Sequence, residues 1–395
     1  MEKNIDLAIK HNQFGGICLR AGQAEKSIHN FKKAIEMTPD DVIFTNAHVN
    51  IANAYVDLKQ KELAATHFQI AIDQSPHNSP VPEGTFDPRL NAKEALSEAY
   101  SNLAVLYMAK DELSIAQELI HKSISLNPVS EANINLGNIL RQLGRREEAI
   151  NYAWSGVQSL YPENFERPVQ LDPSNYEVPH TPGPLHVVCV KWGKKYGPDY
   201  VNKLYHGVLK YLTDIEYDFT CFTEIPEGLD DGIKVIPLSE TWTGWWGKAT
   251  LFSDTGLEGR LLYIDLDTVI TGSLNELARY EGAFAVMGTS DLECEKAKDG
   301  YNTSIIAWHS GFGKEIYSVL KKYYQQTLKF ICRFDFWTEM MVKNAGLVQD
   351  LFPGMFLDYL TYCKNEVPEG CRMVCFPREP KPHDYPSEWI RDLWV

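Results

Sequence analysis

A helical-hairpin repeat solenoid followed by a mixed α/β sheet domain is the fold this sequence predicts, and three observations predict it. From about residue 8 to 160, small and large apolar residues recur at helical spacing, and the pattern itself repeats four times. Over 161–183 the texture changes to prolines among polar residues. From 184 to 395, short apolar runs alternate with amphipathic stretches, and one run stops abruptly in Asp265-Leu266-Asp267.

The bulk properties agree with a multi-domain globular chain. The chain has 395 residues, too many for one ordinary core, with 44% hydrophobic and 23% charged residues. Net charge is −15, with 15 basic against 19 acidic residues over 1–160 and 23 against 34 beyond. Neither part is basic, which argues against nucleic acid as the main partner. The first residues, Met1 to Asp6, lack the apolar core of a signal peptide, and no apolar run is long enough to span a bilayer. Eight cysteines are scattered without a Cys-x-x-Cys pair, so a zinc site or a disulfide framework is not expected. The cytoplasm is the expected location. Asn302-Thr303-Ser304 has the form of a glycosylation acceptor, which without a secretory signal reads as coincidence.

The repeats come first. One unit runs Phe14-Gly15, Cys18, Gly22, Ser27, Phe31, Ala34, Pro39; the third runs Leu103-Ala104, Tyr107, Ala116, Ile120, Ser123, Pro128. The fourth gives Leu136-Gly137, Leu140, Gly144, Ala149, Ala153 and Gly156, with Pro162 slightly late. Small residues fall where two helices cross closely, large ones fill the gap, and proline ends the second helix. This resembles the tetratricopeptide repeat, whose period is about 34 residues. An insertion around 79–96, opening Ser79-Pro80-Val81-Pro82, separates the second unit from the third. Arrays of this kind present a concave surface to peptides or proteins, or cover a neighbouring domain. The expected division is a repeat domain over 1–160, a semi-rigid linker over 161–183 and an α/β domain over 184–395.

In the last part, Leu185–Val190 reads as a strand that runs into Lys191-Trp192-Gly193. Pro198 opens a helix through Tyr200, Val201, Leu204 and Val208. Strands follow at Phe219–Phe222 and Ile233–Leu238, and Trp242–Lys248 leads into a further helix. Of the tryptophans, Trp242, Trp245 and Trp246 read as core sooner than as a sugar-stacking platform. The run Leu261–Ile264 then ends in the aspartate pair. Two residues apart on an extended backbone, Asp265 and Asp267 point to one face at the carboxyl end of a strand, where open α/β sheets bind ligands. They can share a hard divalent cation and the phosphate oxygens that it bridges.

On these residues the domain resembles the GT-A-fold nucleotide-sugar glycosyltransferases, and is most similar to the glycogenin-like retaining enzymes. Val190-Lys191-Trp192 and Tyr200 resemble the opening nucleotide-binding region. Lys248 stands where the family carries a donor-binding lysine, and Asp265-Leu266-Asp267 matches the metal motif. Asn302-Thr303-Ser304 resembles the turn that touches the sugar, and Lys381-Pro382 matches a C-terminal Lys-Pro. Phe334-Asp335-Phe336 falls where the family has Gly-Asp-Gln. Ser304 and Phe336 differ from the family pattern. The resemblance implies a nucleoside-diphosphate sugar as donor, manganese or magnesium as cofactor, and retention of configuration.

Lys248 and Lys381 would face the donor phosphates, and Asp335 would stabilise an oxocarbenium-like sugar or orient the acceptor. The bland reading makes Asp335 a cap for the helix that follows. The family's third metal ligand is a histidine a few residues before Lys-Pro, where this chain has Cys375. A hard cation gains little from thiolate, so His383, directly after Lys381-Pro382, is the expected ligand beside Asp265 and Asp267. The function expected is metal-dependent sugar transfer to an unknown acceptor. A scaffold with an inactive transferase module and a nucleotidyltransferase are the alternatives.

Overall fold

The computed structural model describes residues 5–37, 42–74, 88–128, 130–161, 163, 165–181, 183–238, 240–293 and 295–395. It divides into two compact units, Met1–Leu143 and Gly144–Val395.

The first unit is built of helices α1 (Ile5–Arg20), α2 (Ala24–Met37), α3 (Val42–Asp57), α4 (Lys61–Gln74), α5 (Pro88–Ala109), α6 (Leu113–Leu126) and α7 (Ser130–Gln142). The repeat shows in its turns. Gly22, Lys59 and Asp111 each take positive φ, at 72°, 60° and 67°. The next amide in each case reaches back five residues: Gln23 N to Cys18 O, Gln60 N to Tyr55 O and Glu112 N to Tyr107 O, at 2.8–3.0 Å. This left-handed closure satisfies the last carbonyls of the first helix and turns the chain into the second. Small residues then allow the close crossing. A Cβ on Gly15 would lie 2.6 Å from the Phe31 ring, and Ala64 and Ala116, like Phe68 and Ile120, are fully buried. Pro39, Pro76 and Pro162 lie outside the described residues, as does much of the insertion, but α5 begins at Pro88 within it.

The second unit begins with α8 (Arg146–Leu160). Its sheet domain contains β1 (Leu185–Lys191), α9 (Pro198–Tyr211), β2 (Tyr217–Thr223), β3 (Lys234–Ile236), β4 (Arg260–Ile264), β5 (Thr268–Ile270), α10 (Asn275–Ala278), β6 (Phe284–Gly288) and β7 (Tyr301–His309). There follow α11 (Lys314–Thr327), α12 (Phe334–Met341), β8 (Gly346–Leu347), α13 (Val348–Leu351), β9 (Phe356–Asp358), β10 (Met373–Cys375) and α14 (Glu388–Leu393). The main sheet has the order β3-β2-β1-β4-β7-β6-β8, and a small sheet has the order β5-β10-β9. Strands β1 to β4 are parallel, and β7 runs antiparallel to both β4 and β6. All seven residues of β1 are buried, as a central parallel strand requires. Val187 and Cys189 pack into one core with Val201 and Leu204 of α9. The chain leaves β1 towards β2 on one side and returns to β4 on the other, so a crevice opens between β1 and β4 at their carboxyl ends.

The structure divides the chain differently from the sequence expectation, which ended the repeat domain at 160. Trp154 of α8 is buried, with its ring 5.5 Å from Trp337 of α12 and 6.1 Å from Phe165. Gly156 of α8 lies under Phe330, where a Cβ would come within 2.0 Å of the ring. The small and aromatic residues of the last helix therefore complete the core of the second unit. The proline-rich stretch is docked as well. Leu171 pairs with the end of α12 through Leu171 N to Met341 O (2.7 Å) and Lys343 N to Leu171 O (2.9 Å). Pro182 lies outside the described residues. The helix expected from Trp242–Lys248 is a 3-10 helix, Gly244–Phe252. No helix among the described residues is long and apolar enough to cross a membrane, and the seven described cysteines are free.

Candidate functional site

A cavity of ≈ 270 Å³ occupies the crevice, lined among others by Val190, Trp192, Tyr196, Lys248, Asp265, Asp267, Asn302, Asp335 and Lys381. Val190 and Trp192 come from the end of β1. Asp265 continues β4, its amide bonded to Ser304 O at 2.9 Å. Tyr263 and Asp265 share a face of the strand because side chains alternate. The Tyr263 hydroxyl donates to Asp265 Oδ1.

Each aspartate has its own lysine. Lys248 Nζ lies 2.9 Å from Asp265 Oδ2 and also donates to Thr303 O at 3.0 Å. Lys381 Nζ lies 2.7 Å from Asp267 Oδ2, which also accepts from the Tyr196 hydroxyl at 2.9 Å. These pairs are largely withdrawn from water, with Lys381 and Asp267 side chains 8% and 14% exposed. Burial pushes the Asp265 carboxyl up, and the Lys248 ammonium opposes that shift. Burial and the facing carboxylates push the Tyr196 and Tyr263 phenols up, so both stay protonated as donors.

Asp335, on α12, also lines the cavity. It does not cap that helix: its Oδ1 accepts from Thr303 N at 2.9 Å and from Thr303 Oγ1 at 2.5 Å. Asn302 Oδ1 accepts from Ser304 N at 3.0 Å, which fixes the bend beside the cavity. The asparagine of this apparent glycosylation sequence is 6% exposed on a central strand.

Three expected residues are not brought to the cavity wall. Lys191 is buried, its Nζ directed at the Gly193 and Ile225 carbonyls at 3.4 and 3.5 Å. Tyr200 packs against Tyr196 with the rings tilted, and its hydroxyl is hydrogen-bonded to His383 Nδ1. His383 is thus held at Tyr200 by the 3-10 turn Pro382–Asp384, and among the described residues no three His, Cys, Asp or Glu side chains gather as a metal site. Cys375 is buried against Met287, and burial pushes its thiol up, in keeping with a packed residue. Of the tryptophans, Trp242 and Trp246 are core, while Trp245 is 51% exposed and lines the cavity.

The cavity also recruits residues that sequence reasoning missed. Tyr196, four residues before Tyr200, lines the cavity and donates to Asp267. Glu295 bridges two cavity arginines, 2.9 Å from Arg333 and 3.7 Å from Arg378. The run Lys194-Lys195-Tyr196 just past β1 was a signal for the first; the others sit in loops with no local pattern.

The tetratricopeptide repeat family model matches residues 130–153, so the chain contains a repeat of that type. No curated protein matches the chain. Among solved structures, the chain is similar to the first TPR domain of human RPAP3, at 20% identity over 36% of this chain and 96% of that one, with TM-score 0.28. It is similar to YrrB, described as a TPR protein with an unusual peptide-binding site, at 18% identity over 41% and 73%, with TM-score 0.30. An active-site mutant of LgtC is similar at 9% identity over 50% of this chain and 89% of that one, with TM-score 0.38.

Proposed function

We propose that the second unit transfers a sugar from a nucleoside-diphosphate donor to an acceptor, and that the repeat array binds a protein or peptide. The observation that carries this reading is the pair of lysine-compensated carboxylates, Asp265 and Asp267, just past the carboxyl end of β4 and facing one cavity. Transfer breaks the bond between the sugar's anomeric carbon and the diphosphate oxygen. Negative charge is left on the diphosphate, the acceptor oxygen bonds to that carbon, and the acceptor's proton passes to the departing diphosphate or to solvent. Lys248 and Lys381 are buried cations placed to face that charge once the donor sits beside them, where low solvent exposure strengthens the attraction. Asp335, held in place by Thr303, faces the reacting sugar, stabilising positive character there or orienting the acceptor hydroxyl.

The two carboxylates suit magnesium or manganese, which take oxygen ligands and leave positions to phosphate and water oxygens. Asp265 and Asp267 would hold such a cation, and it would supply further neutralisation of the diphosphate. Retention of configuration remains part of the proposal through the resemblance alone.

The test is binding. Nucleoside diphosphates screened with manganese or magnesium should raise the melting temperature of the second unit, because a ligand that binds only the folded state stabilises it. At 100 times the dissociation constant the gain is about 2.7 kcal/mol. A panel in which no nucleotide, with or without cation, shifts the melt contradicts the reading.

A further inference from the structure

Of three tryptophans that the sequence reads as core, one is turned outwards and fixed there. Trp242 and Trp246 are buried, whereas Trp245 is half-exposed and lines the cavity. A lone exposed aromatic is ordinary, but this one is held: its Nε1 donates to Cys332 O at 2.6 Å. Cys332 directly precedes Arg333, the N-cap of α12, and Asp335 lies in the first turn of that helix. The indole is therefore oriented by the same element that carries Asp335. A second group stands on the same cavity wall. Arg333 Nη1 donates to Glu295 Oε1 at 2.9 Å, and Arg378 Nη2 lies 3.7 Å from the same oxygen. Glu295 Oε2 accepts no hydrogen bond among the described residues, and the two guanidiniums keep most of their N–H donors.

An apolar plane beside a mixed set of donors and a carboxylate oxygen matches one kind of ligand. A sugar ring has a flat C–H face that an indole covers, and a rim of hydroxyls that each donate and accept. Neighbouring hydroxyls fit the fork of a guanidinium, and a carboxylate oxygen takes a hydroxyl proton. A phosphate would gain from the arginines but be repelled by Glu295. A simple aliphatic hydroxyl would leave the indole unused. We infer that the acceptor is a saccharide, its ring stacked on Trp245 and its hydroxyls engaged by Arg333, Glu295 and Arg378, with a further hydroxyl directed to Asp335. That hydroxyl oxygen bonds to the anomeric carbon as the diphosphate departs, and its proton goes to the diphosphate or to solvent. The role as acceptor rests on the function proposed above; saccharide binding at Trp245 does not.

The experiment uses the full-length chain labelled with 5-fluorotryptophan, the Trp245 resonance being identified by its loss in Trp245→Phe. Maltose, lactose, cellobiose and xylobiose are titrated, and uridine and guanosine diphosphates with magnesium are titrated separately. At least one disaccharide should shift the Trp245 resonance to saturation, and the nucleotides alone should not. The dissociation constant of that disaccharide, read by calorimetry, should rise at least about tenfold in Trp245→Ala and in Glu295→Gln, about 1.4 kcal/mol. Trp245→Phe keeps an aromatic face and should cost less than about threefold. In turnover, KM for the disaccharide should rise by the same factor in both weakened variants, with KM for the donor within about twofold of wild type. No shift with any disaccharide, an equal shift with nucleotide alone, or a parallel rise in the donor KM overturns the inference. Transfer to a protein acceptor but to none of the saccharides overturns it as well. Saccharide binding at Trp245 in a chain that turns over no donor defeats the function reading instead and leaves the subsite standing.

Discussion

Replacing Trp154 with alanine tests which unit owns the eighth helix. The side chain is 1% exposed and contacts the rings of Trp337 and Phe165, both in the sheet unit. Truncating a buried tryptophan costs about 3–5 kcal/mol, of which an aromatic pair of this edge-on kind accounts for ~0.5–1.5 kcal/mol. The cost should fall on residues 144–395, because the cavity opens among their side chains. Trp154→Phe is the control. The indole N–H has no hydrogen-bond partner among the described residues, so removing it relieves a buried donor while most of the apolar area stays. The control should therefore cost less than about 2 kcal/mol. Urea unfolding of the full chain, with hydrogen exchange read peptide by peptide, assigns the loss. Protection should fall throughout the second unit of the alanine variant and stay level over α1 to α6. A cost below about 1 kcal/mol, or a loss confined to the first unit, refutes the assignment.

Further outcomes follow from the same packing and charges. A chain beginning at Gly144 should fold, whereas one beginning at 161 lacks Trp154 and should give an expanded state, by circular dichroism and exchange. Asp267→Asn leaves Lys381 with weaker compensation, so it should lower the stability of the second unit by about 1–3 kcal/mol, seen in thermal melts. The same variant should cut donor turnover at least about 100-fold, about 2.7 kcal/mol, with added manganese giving no rescue. In the first unit, His48 Nδ1 lies 2.8 Å from His67 Nδ1, and burial, then the neighbouring ring, lowers the His48 pKa to about 4. The unfolded chain takes up this proton near pH 6.5 and the folded one only near 4. Stability is therefore fully present above 6.5 and declines as pH falls towards 4, by up to ~3 kcal/mol. His48→Gln should flatten that decline in urea melts recorded across this window.

The parts of the fold that were legible are those whose signal is local. The Leu185–Lys191 strand is buried on both faces and reads as one apolar run, and the aspartate pair interrupts another such run at a strand end. The repeat reads from spacing alone, and its turns carry a left-handed residue at Gly22, Lys59 and Asp111. Only the glycine is a sequence signal for such a turn, since lysine and aspartate announce no positive φ. The repeat pattern and the contact-based division part company at the last helix because Ala149, Ala153 and Gly156 satisfy the repeat pattern, while Trp154 and Gly156 also fit Trp337 and Phe330 nearly two hundred residues on. Nothing local distinguishes the two uses. The same holds at the cavity, where Arg333, Arg378 and Glu295 meet from separate loops. His383 illustrates the reverse: adjacency to Lys381 suggested a shared site, but the turn at Pro382 sends the two side chains to different partners, Tyr200 and Asp267.

The most direct test of the central claim is to identify what the full-length chain releases from nucleoside-diphosphate sugars in the presence of magnesium or manganese. The account predicts that one donor yields free nucleoside diphosphate together with sugar passed to water or acceptor, and that Asp265→Asn and Asp267→Asn both abolish this. Release of pyrophosphate from a nucleoside triphosphate and sugar phosphate would point to nucleotidyl transfer. Equal product release by wild type and both variants, or none by wild type from any donor, would contradict the account.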